Sequence, residues 1–344
     1  MKYIYDLSYD QWQAWVKEQG LPLFRAEQIY TWLSRGIART DEMLNVPKKI
    51  RQLLDDSFTI QGMICEDKQV SKLDGTIKYG FRLADGNRIE SVRMLYKHGQ
   101  SVCLSSQAGC RMGCTFCAST GAGFGRNLTS GEMLAQVAVI ARDTKERVSH
   151  VVIMGIGEPL DNYDAVVSFL KNINHPKGVN ISLRHISVST CGLVPEMLKF
   201  TDEGLPVTLS VSLHAPNDML RRQLMPVARQ YDINQLLAAC RYHLEKTNRR
   251  ISFEYALLKD INDQPRHADE LASRLRKMLC HVNLIPANEF KGGLYNRSAP
   301  ETVKRFQERL TASGINATVR RELGTELMAA CGQLRRSKKS CENK

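Results

Sequence analysis

Between about residue 100 and residue 320, short apolar runs alternate with helical stretches, and no other feature narrows the fold as far. The runs fall at 102–106, 149–154, 184–190, 206–213, 250–258, 281–286 and 315–320. One intervening helix is expected to start at Thr129, because Thr129-Ser130-Gly131-Glu132 has the S/T-x-x-E form of a capping box. Another is expected from Asn234 through Leu237 and Cys240 toward Leu244. Strands separated by helices imply parallel βαβ units. Six or seven units fall short of a complete eight-stranded barrel, so the α/β core is expected to be an incomplete barrel, with a doubly wound sheet as the competitor. In both, ligands belong at the carboxyl ends of the strands.

The first 75 residues follow another pattern. Ser8 opens a helical stretch with Trp12, Trp15 and Val16 on one face, and a second from Arg25 carries Ile29, Trp32 and Leu33. Pro47 is placed to start a third, with Lys48, Lys49 and Arg51 near its beginning. Residues 1–75 therefore read as a small helical domain with a basic face, either an RNA-binding surface or a solvated packing module. Asp74-Gly75 and Asp85-Gly86 bracket TIKYGFRL, and NRIESVRML follows, which suggests antiparallel strands in a linking extension over 76–95. The core is expected over 96–325, and 326–344 forms a C-terminal segment ending in a basic, mobile tail.

No apolar run approaches the ~18 residues that span a bilayer, so a membrane protein is not expected. MKYIYDLSYDQWQ has no unbroken apolar stretch behind a basic start, which argues against a signal peptide and for a cytoplasmic chain. The 48 basic residues outweigh 36 acidic ones, a net charge of +12, and such an excess attracts polyanions, nucleic acid first among them. In a reducing cytosol the 10 cysteines read as metal ligands, reactive thiols and apolar filler rather than as a disulfide framework.

The chemistry concentrates in SVCLSSQAGCRMGCTFCASTGAGFGRN. Cys110, Cys114 and Cys117 are spaced C-x3-C-x2-C, just after a strand-like run. A structural zinc site would want a fourth close ligand, and no His or Cys lies between Cys117 and His150. A four-iron cluster on three thiolates instead leaves one iron open to a small chelating ligand. Phe116 would help exclude water.

This motif resembles the signature of the radical S-adenosylmethionine (SAM) superfamily. The resemblance implies a partial (β/α)6 barrel with the N-terminal helical module as an accessory domain. It also implies a [4Fe-4S] cluster on Cys110, Cys114 and Cys117, with SAM chelated to the open iron and split on reduction to a 5′-deoxyadenosyl radical. Further motifs narrow it. Cys103-Leu104-Ser105-Ser106-Gln107, Arg126-Asn127-Leu128-Thr129, Gly155-Ile156-Gly157-Glu158-Pro159-Leu160, Ser212-Leu213-His214-Ala215-Pro216-Asn217 and Ala330-Cys331-Gly332-Gln333-Leu334 resemble the RlmN/Cfr family, as does FRAEQIYTWL in the helical module.

That family methylates an adenine of 23S rRNA, adenine 2503, and its carbon-2 branch also methylates adenine 37 of some tRNAs. Carbon 2 is electron-poor and cannot displace a methyl group from SAM, so a radical route is needed. The resemblance implies two SAM per turnover. Cys331 takes a methyl group from the first, and the second generates the radical. Glu90 would accept the ring proton, and Cys103 would resolve the protein–RNA adduct by forming a transient disulfide with Cys331. Read from the residues alone, Glu90 is an ordinary strand carboxylate and the two cysteines are free thiols. SAM contacts are implied at Gly157, Glu158, Ser189, Ser212, Leu213, His214 and Asn288, each otherwise a residue at a strand end. HVVIMGIGEPL is no G-x-G-x-x-G fingerprint, so a dinucleotide site is not expected. Cys65, Cys191, Cys240, Cys280 and Cys341 match no motif and read as structural.

Candidates for phosphate contacts are Arg221, Arg222, Arg229, Arg320, Arg321, Arg335, Arg336, Lys338 and Lys339, with Lys48, Lys49 and Arg51. The target base must leave its stack, which favours naked rRNA before ribosome assembly. The chemistry further requires an electron donor such as flavodoxin or ferredoxin, and a monomer is expected. Glu326 stands where the family has an aspartate, and Asn288 is followed by Glu289-Phe290 rather than proline. Pro159 in GEPLDN and the RNLT run favour carbon 2 over carbon 8. The rivals are another radical SAM enzyme, such as a glycyl-radical activase, and a non-methylating iron–sulfur RNA-binding or electron-carrier protein.

Overall fold

The computed structural model describes residues 1–121, 123–288, 293–329 and 331–334. A ten-stranded sheet organises the chain, and its strands lie side by side in chain order. Three strands form the antiparallel extension: β1 (Met63–Val70), β2 (Ile77–Leu83) and β3 (Arg88–Tyr96). β4 (Gly99–Cys103) pairs antiparallel with β3 and opens the parallel part. It continues through β5 (Val148–Ile153), β6 (Ile186–Thr190), β7 (Thr208–Ser212), β8 (Ile251–Leu257), β9 (Cys280–Pro286) and β10 (Ala317–Val319). β10 and β1 are the two edges, so the barrel is open. Each apolar run expected as a strand in the core overlaps one, although most of the run at 102–106 lies beyond the end of β4 at Cys103.

Six helical crossovers join the seven parallel strands. They are α4 (Ser130–Thr144), α5 (Tyr163–Ile173), α6 (Val194–Asp202), the pair α7 (Asp218–Leu224) and α8 (Ile233–Thr247), α9 (Pro265–Leu275) and α10 (Pro300–Ala312). Thr129 caps α4 with the reciprocal Glu132 bond that the sequence predicts. The strands bury alternate residues beneath these helices, among them Val151, Ile153, Val188, Leu209, Val211, Phe253 and Tyr255. The intervening positions face the lumen and are small or polar: Ser189, Ser212, Glu254 and Asn283. A polar lumen at the carboxyl ends is what a ligand requires of this architecture.

The N-terminal module consists of α1 (Tyr9–Glu18), α2 (Phe24–Ser34) and α3 (Lys48–Ser57), with Ser8 forming a capping box and Pro47 preceding α3. Trp12, Val16, Ile29 and Leu33 are buried and belong to the same apolar core as the barrel helices. The module is bonded to that layer: Asp6 Oδ1 accepts the Gly131 N–H at the start of α4 (3.1 Å), and Tyr30 OH donates to the Asn172 carbonyl (3.2 Å).

The expected helical span over 1–75 needs correction, because Met63–Val70 is a strand of the main sheet. Its sequence MICEDKQV shows no alternation of apolar residues, since only Met63 is buried. An edge strand needs no apolar face, and charges along it discourage pairing with other chains.

Candidate active site

The three-cysteine motif lies on the loop that leaves β4. Gly109, ahead of Cys110, has φ +87°, and a side chain there would collide with the Gly123 carbonyl. Cys110, Cys114 and Cys117 all line one cleft at the carboxyl ends of the parallel strands, with about 1180 Å³ of empty space including its open mouth. The other side of the loop packs on Leu224, Met225 and Ala287, and Phe116 meets the His214 ring edge-on at 4.7 Å. Burial pushes the Cys110 thiol up to about 12 and raises Cys114 and Cys117 as well. Without metal these thiols hold their protons, and binding iron must displace them. Three thiols lining one cleft with room for a second molecule fit an iron–sulfur cluster with an open coordination position.

The same cleft is lined by Gly157, Glu158, Ser189, Ser212, His214 and Asn288. Gly157 has φ +112°, and a Cβ would sit 2.6 Å from Gln107 Cβ and 2.8 Å from its backbone nitrogen. Gln107 Oε1 accepts the Glu158 N–H at 2.9 Å, so this close approach fixes where Glu158 begins. Glu158 is buried, and its oxygens accept N–H bonds from Leu160 (3.0 Å) and Cys191 (2.7 Å). Burial raises its pKa, while those bonds oppose the rise. Gly157→Ala is expected to cost about 2–3 kcal/mol and to weaken SAM binding, as checked by thermal melting and titration calorimetry; a variant as stable as the parent would contradict the packing described.

His214 accepts the Ala256 N–H on Nδ1 at 2.9 Å, which assigns the proton to Nε2. Burial, with a contribution from the charge of Arg221, lowers its pKa to about 3, so the ring is a neutral donor at the cleft wall. Leu213 lies elsewhere: it is fully buried in the main core and does not line the cleft, because adjacent residues at a strand end point to opposite sides.

The segment after β10 brings Cys331 to this site. Gly324 N–H donates to Asp74 (2.9 Å) and Ser71 Oγ to Glu326 (2.5 Å), which fastens the segment to the β1–β2 turn. Asn288 then donates to the Cys331 carbonyl (3.1 Å). The Gly332 and Leu334 carbonyls accept from Ala118 N–H and Ser119 Oγ, each at 2.7 Å, beside Cys117. Cys331 thereby lines both the three-cysteine cleft and a smaller adjoining cavity of about 530 Å³, whose wall includes Cys103, Met94, Tyr96 and Arg320.

Cys103 is the last residue of β4, and burial pushes its thiol up to about 12, with the nearby Cys331 adding to the rise. Arg320 opposes it, and the Cys331 charge is the largest cause of Arg320's own raised pKa. A raised thiol pKa means little thiolate at neutral pH. Alkylation of Cys103 should therefore accelerate about tenfold per pH unit from pH ~7 to ~11. Peptide mass mapping against pH checks this, and a plateau near pH ~9 would contradict it.

Glu90 lies on β3, two residues from Val92, which pairs across the sheet with Cys103 and shares its face. Lys78 Nζ is 3.5 Å from Glu90. Glu90 lines neither cavity, unlike the two cysteines.

The basic candidates separate by burial. Arg222, Arg229, Arg321, Lys48 and Lys49 are exposed, and Arg51 is half-buried and bonded to the Asp41 carbonyl. Arg221 is fully buried and is no surface contact. Arg320 lines both cavities rather than the outer surface. Arg335, Arg336, Lys338, Lys339, Cys341 and the Glu289-Phe290 departure lie outside the described residues. Two cleft residues carried no signal of their own. Cys191 lines the cleft rather than serving as plain core, and the buried carboxylate of Glu254 is held by Ser252 and Asn283. Cys65 is exposed, while Cys240 and Cys280 are buried. Among the described residues no helix is long and apolar enough to cross a membrane.

An open parallel barrel with three cysteines at its ligand-binding end defines a radical SAM enzyme, and residues 104–272 match the model of the radical SAM superfamily. Residues 3–60 match the ribosomal RNA large subunit methyltransferase N-terminal domain. The chain is 50% identical over 330 residues to a probable dual-specificity RNA methyltransferase RlmN of Alkaliphilus metalliredigens, covering 96% of this chain and 94% of the relative. It is 49% identical over 337 residues to one from Clostridium botulinum, covering 98% and 97%. A crystal structure of a radical SAM methyltransferase from Sphaerobacter thermophilus superposes with a TM-score of 0.94 at 42% identity, covering 97% of this chain and 99% of that one. The chain belongs to the RlmN family of radical SAM RNA methyltransferases, which use a [4Fe-4S] cluster and SAM.

Proposed function

We propose that this chain methylates carbon 2 of adenine 2503 in 23S rRNA and of adenine 37 in some tRNAs, with Cys331 as the methyl carrier. The observation that supports this most directly is the position of Cys331, which lines both the cleft of the cluster cysteines and the cavity that contains Cys103. Cys110, Cys114 and Cys117 would hold the cluster. Gly157, Glu158, Ser189, Ser212, His214 and Asn288 would surround SAM, with Glu158 accepting from its ammonium group and His214 Nε2 donating. Bound there, the two cofactors supply methyl transfer and, on reduction, hydrogen-atom abstraction.

The chain's own groups do the rest. Cys331 as thiolate accepts the methyl group, and Arg320 beside it stabilises that negative charge. After hydrogen abstraction the Cys331-bound carbon radical adds to the adenine, the adduct radical gives up one electron to a one-electron acceptor of the iron–sulfur class, and Glu90 accepts the ring proton, which restores the aromatic ring. Cys103 then gives up its proton and attacks the Cys331 sulfur, so that an S–S bond forms as the S–C bond breaks, and the departing carbon takes up a proton to leave as the methyl group of the base. The high pKa of Cys103 keeps it protonated beforehand.

The enzyme acts as a cytoplasmic monomer on naked rRNA before ribosome assembly, supplied with electrons by a carrier such as flavodoxin or ferredoxin. Exposed Arg222, Arg229, Arg321, Lys48 and Lys49 contribute phosphate contacts. Nucleoside mass spectrometry of RNA from cells lacking the gene tests the assignment. Loss of 2-methyladenosine is expected, and loss of 8-methyladenosine alone would overturn the choice of carbon. Equal methylation of intact ribosomes and free rRNA would overturn the timing.

A further inference from the structure

Arg221 projects from α7 and is fully buried. Its Nη2 donates to the Cys191 carbonyl at 2.7 Å and its Nη1 to the Tyr231 carbonyl at 3.4 Å, while Nε has no partner. Among the described residues no carboxylate pairs with it. Asp218, an acid whose charge Arg221 feels, is engaged elsewhere and accepts the Ile233 N–H (2.8 Å). A buried cation without a counter-charge is costly, and two carbonyl acceptors do not require a charged donor. A glutamine amide would serve such acceptors without the desolvation of a full charge.

The surroundings of Arg221 point to the missing anion. Cys191, which receives the guanidinium, lines the cleft together with Cys110, Cys114 and Cys117. Gly192 beside it leaves the guanidinium room, since a Cβ there would lie 3.1 Å from Nη2. The last residue of α7, Leu224, accepts the Thr115 N–H at 3.0 Å, so the helix carrying Arg221 is bonded to the ligand loop next to Cys114. Arg221 and Cys114 each feel the other's charge. A four-iron cluster with three thiolates is an anion, and gains a further negative charge on reduction.

We propose that Arg221 is the built-in counter-charge of the iron–sulfur cluster and eases the entry of the electron that starts the reaction. The inference rests on the assignment of Cys110, Cys114 and Cys117 to the cluster. One electron passes from a low-potential one-electron reductant to the cluster, no covalent bond forms or breaks, and Arg221 keeps its proton throughout. A fixed positive charge behind the thiolates favours the reduced state over the oxidised one.

The test is an anaerobic redox titration of cluster-loaded protein with dithionite and viologen dyes, read by electron paramagnetic resonance. At a fixed solution potential, Arg221→Met and Arg221→Gln are expected to lower the ratio of reduced to oxidised cluster by at least about tenfold, equivalent to about 59 mV for one electron. Arg221→Lys, which keeps the charge, should stay within about threefold of the parent. The rise in melting temperature on loading the cluster should also be smaller in Arg221→Met than in the parent, because charge and cluster are coupled. Should Arg221→Met fail to load, Arg221→Gln, which keeps a polar amide donor without the charge, carries the same reading. Neutral variants that keep their iron, titrate like the parent and lose equal stability with and without the cluster would overturn the proposal and leave Arg221 a structural tether. A parent protein that retains no iron would instead remove the cluster assignment, and the proposal with it.

Discussion

Cys103→Ala protein, incubated with SAM, reductant and RNA, should accumulate as a covalent complex with its RNA and release almost no methylated product. In the scheme proposed above, everything up to the adduct depends on Cys331 and the cofactors, and only the release of the base depends on the second thiol. The position of Cys103 is compatible with that role. It is buried, it lies beside Cys331 on the wall of the smaller cavity, and it is absent from the lining of the cluster cleft. The expected loss of released product is more than about a thousandfold, the scale at which removing one member of a catalytic unit disables the whole. Labelled RNA that comigrates with the protein on a denaturing gel, and is freed by digesting the protein, is the readout. Free methylated RNA at the parent rate would show that another group resolves the adduct, or that no adduct forms.

Cys331→Ala should fail earlier and leave no complex. Without the thiol there is nothing to accept the methyl group, so methylation falls to background, again more than about a thousandfold. The parent protein purified from cells should carry one extra methylene unit on the peptide containing Cys331, and the variant none. The pairing of the two variants is informative because both remove one sulfur atom from the same small cavity. Loss of packing alone would make them behave alike. An adduct with Cys103→Ala and none with Cys331→Ala requires distinct roles. A variant lacking Cys331 that still methylates RNA would refute the carrier assignment.

Much of the fold was legible because the seven parallel strands bury Val, Ile, Leu and Phe against six helical crossovers and so declare themselves as apolar runs. β1 was not, because an edge strand with one buried residue has no apolar period to show. Its turn into β2 nevertheless matters, since Ser71 and Asp74 hold the segment that carries Cys331. Charge was the poorest guide. Arg221 and Arg222 are neighbours in LRRQL, yet one helical step buries the first completely and exposes the second. Nothing local tells them apart, because the difference is set by what packs across from α7. The three-cysteine spacing was readable on its own chemistry. Cys331 and Cys103, more than 200 residues apart, were readable as a pair only through family resemblance, because their proximity is made by the sheet and by the bonds of Asn288 and Ala118 to the C-terminal segment.

The account depends on Cys110, Cys114 and Cys117 holding an iron–sulfur cluster that itself binds SAM. The direct measurement is the iron content and electron paramagnetic resonance spectrum of the anaerobically reduced protein before and after addition of SAM. About four irons per chain and a spectrum displaced by SAM are predicted. Zinc in place of iron, or an iron signal that SAM leaves unchanged, would contradict it.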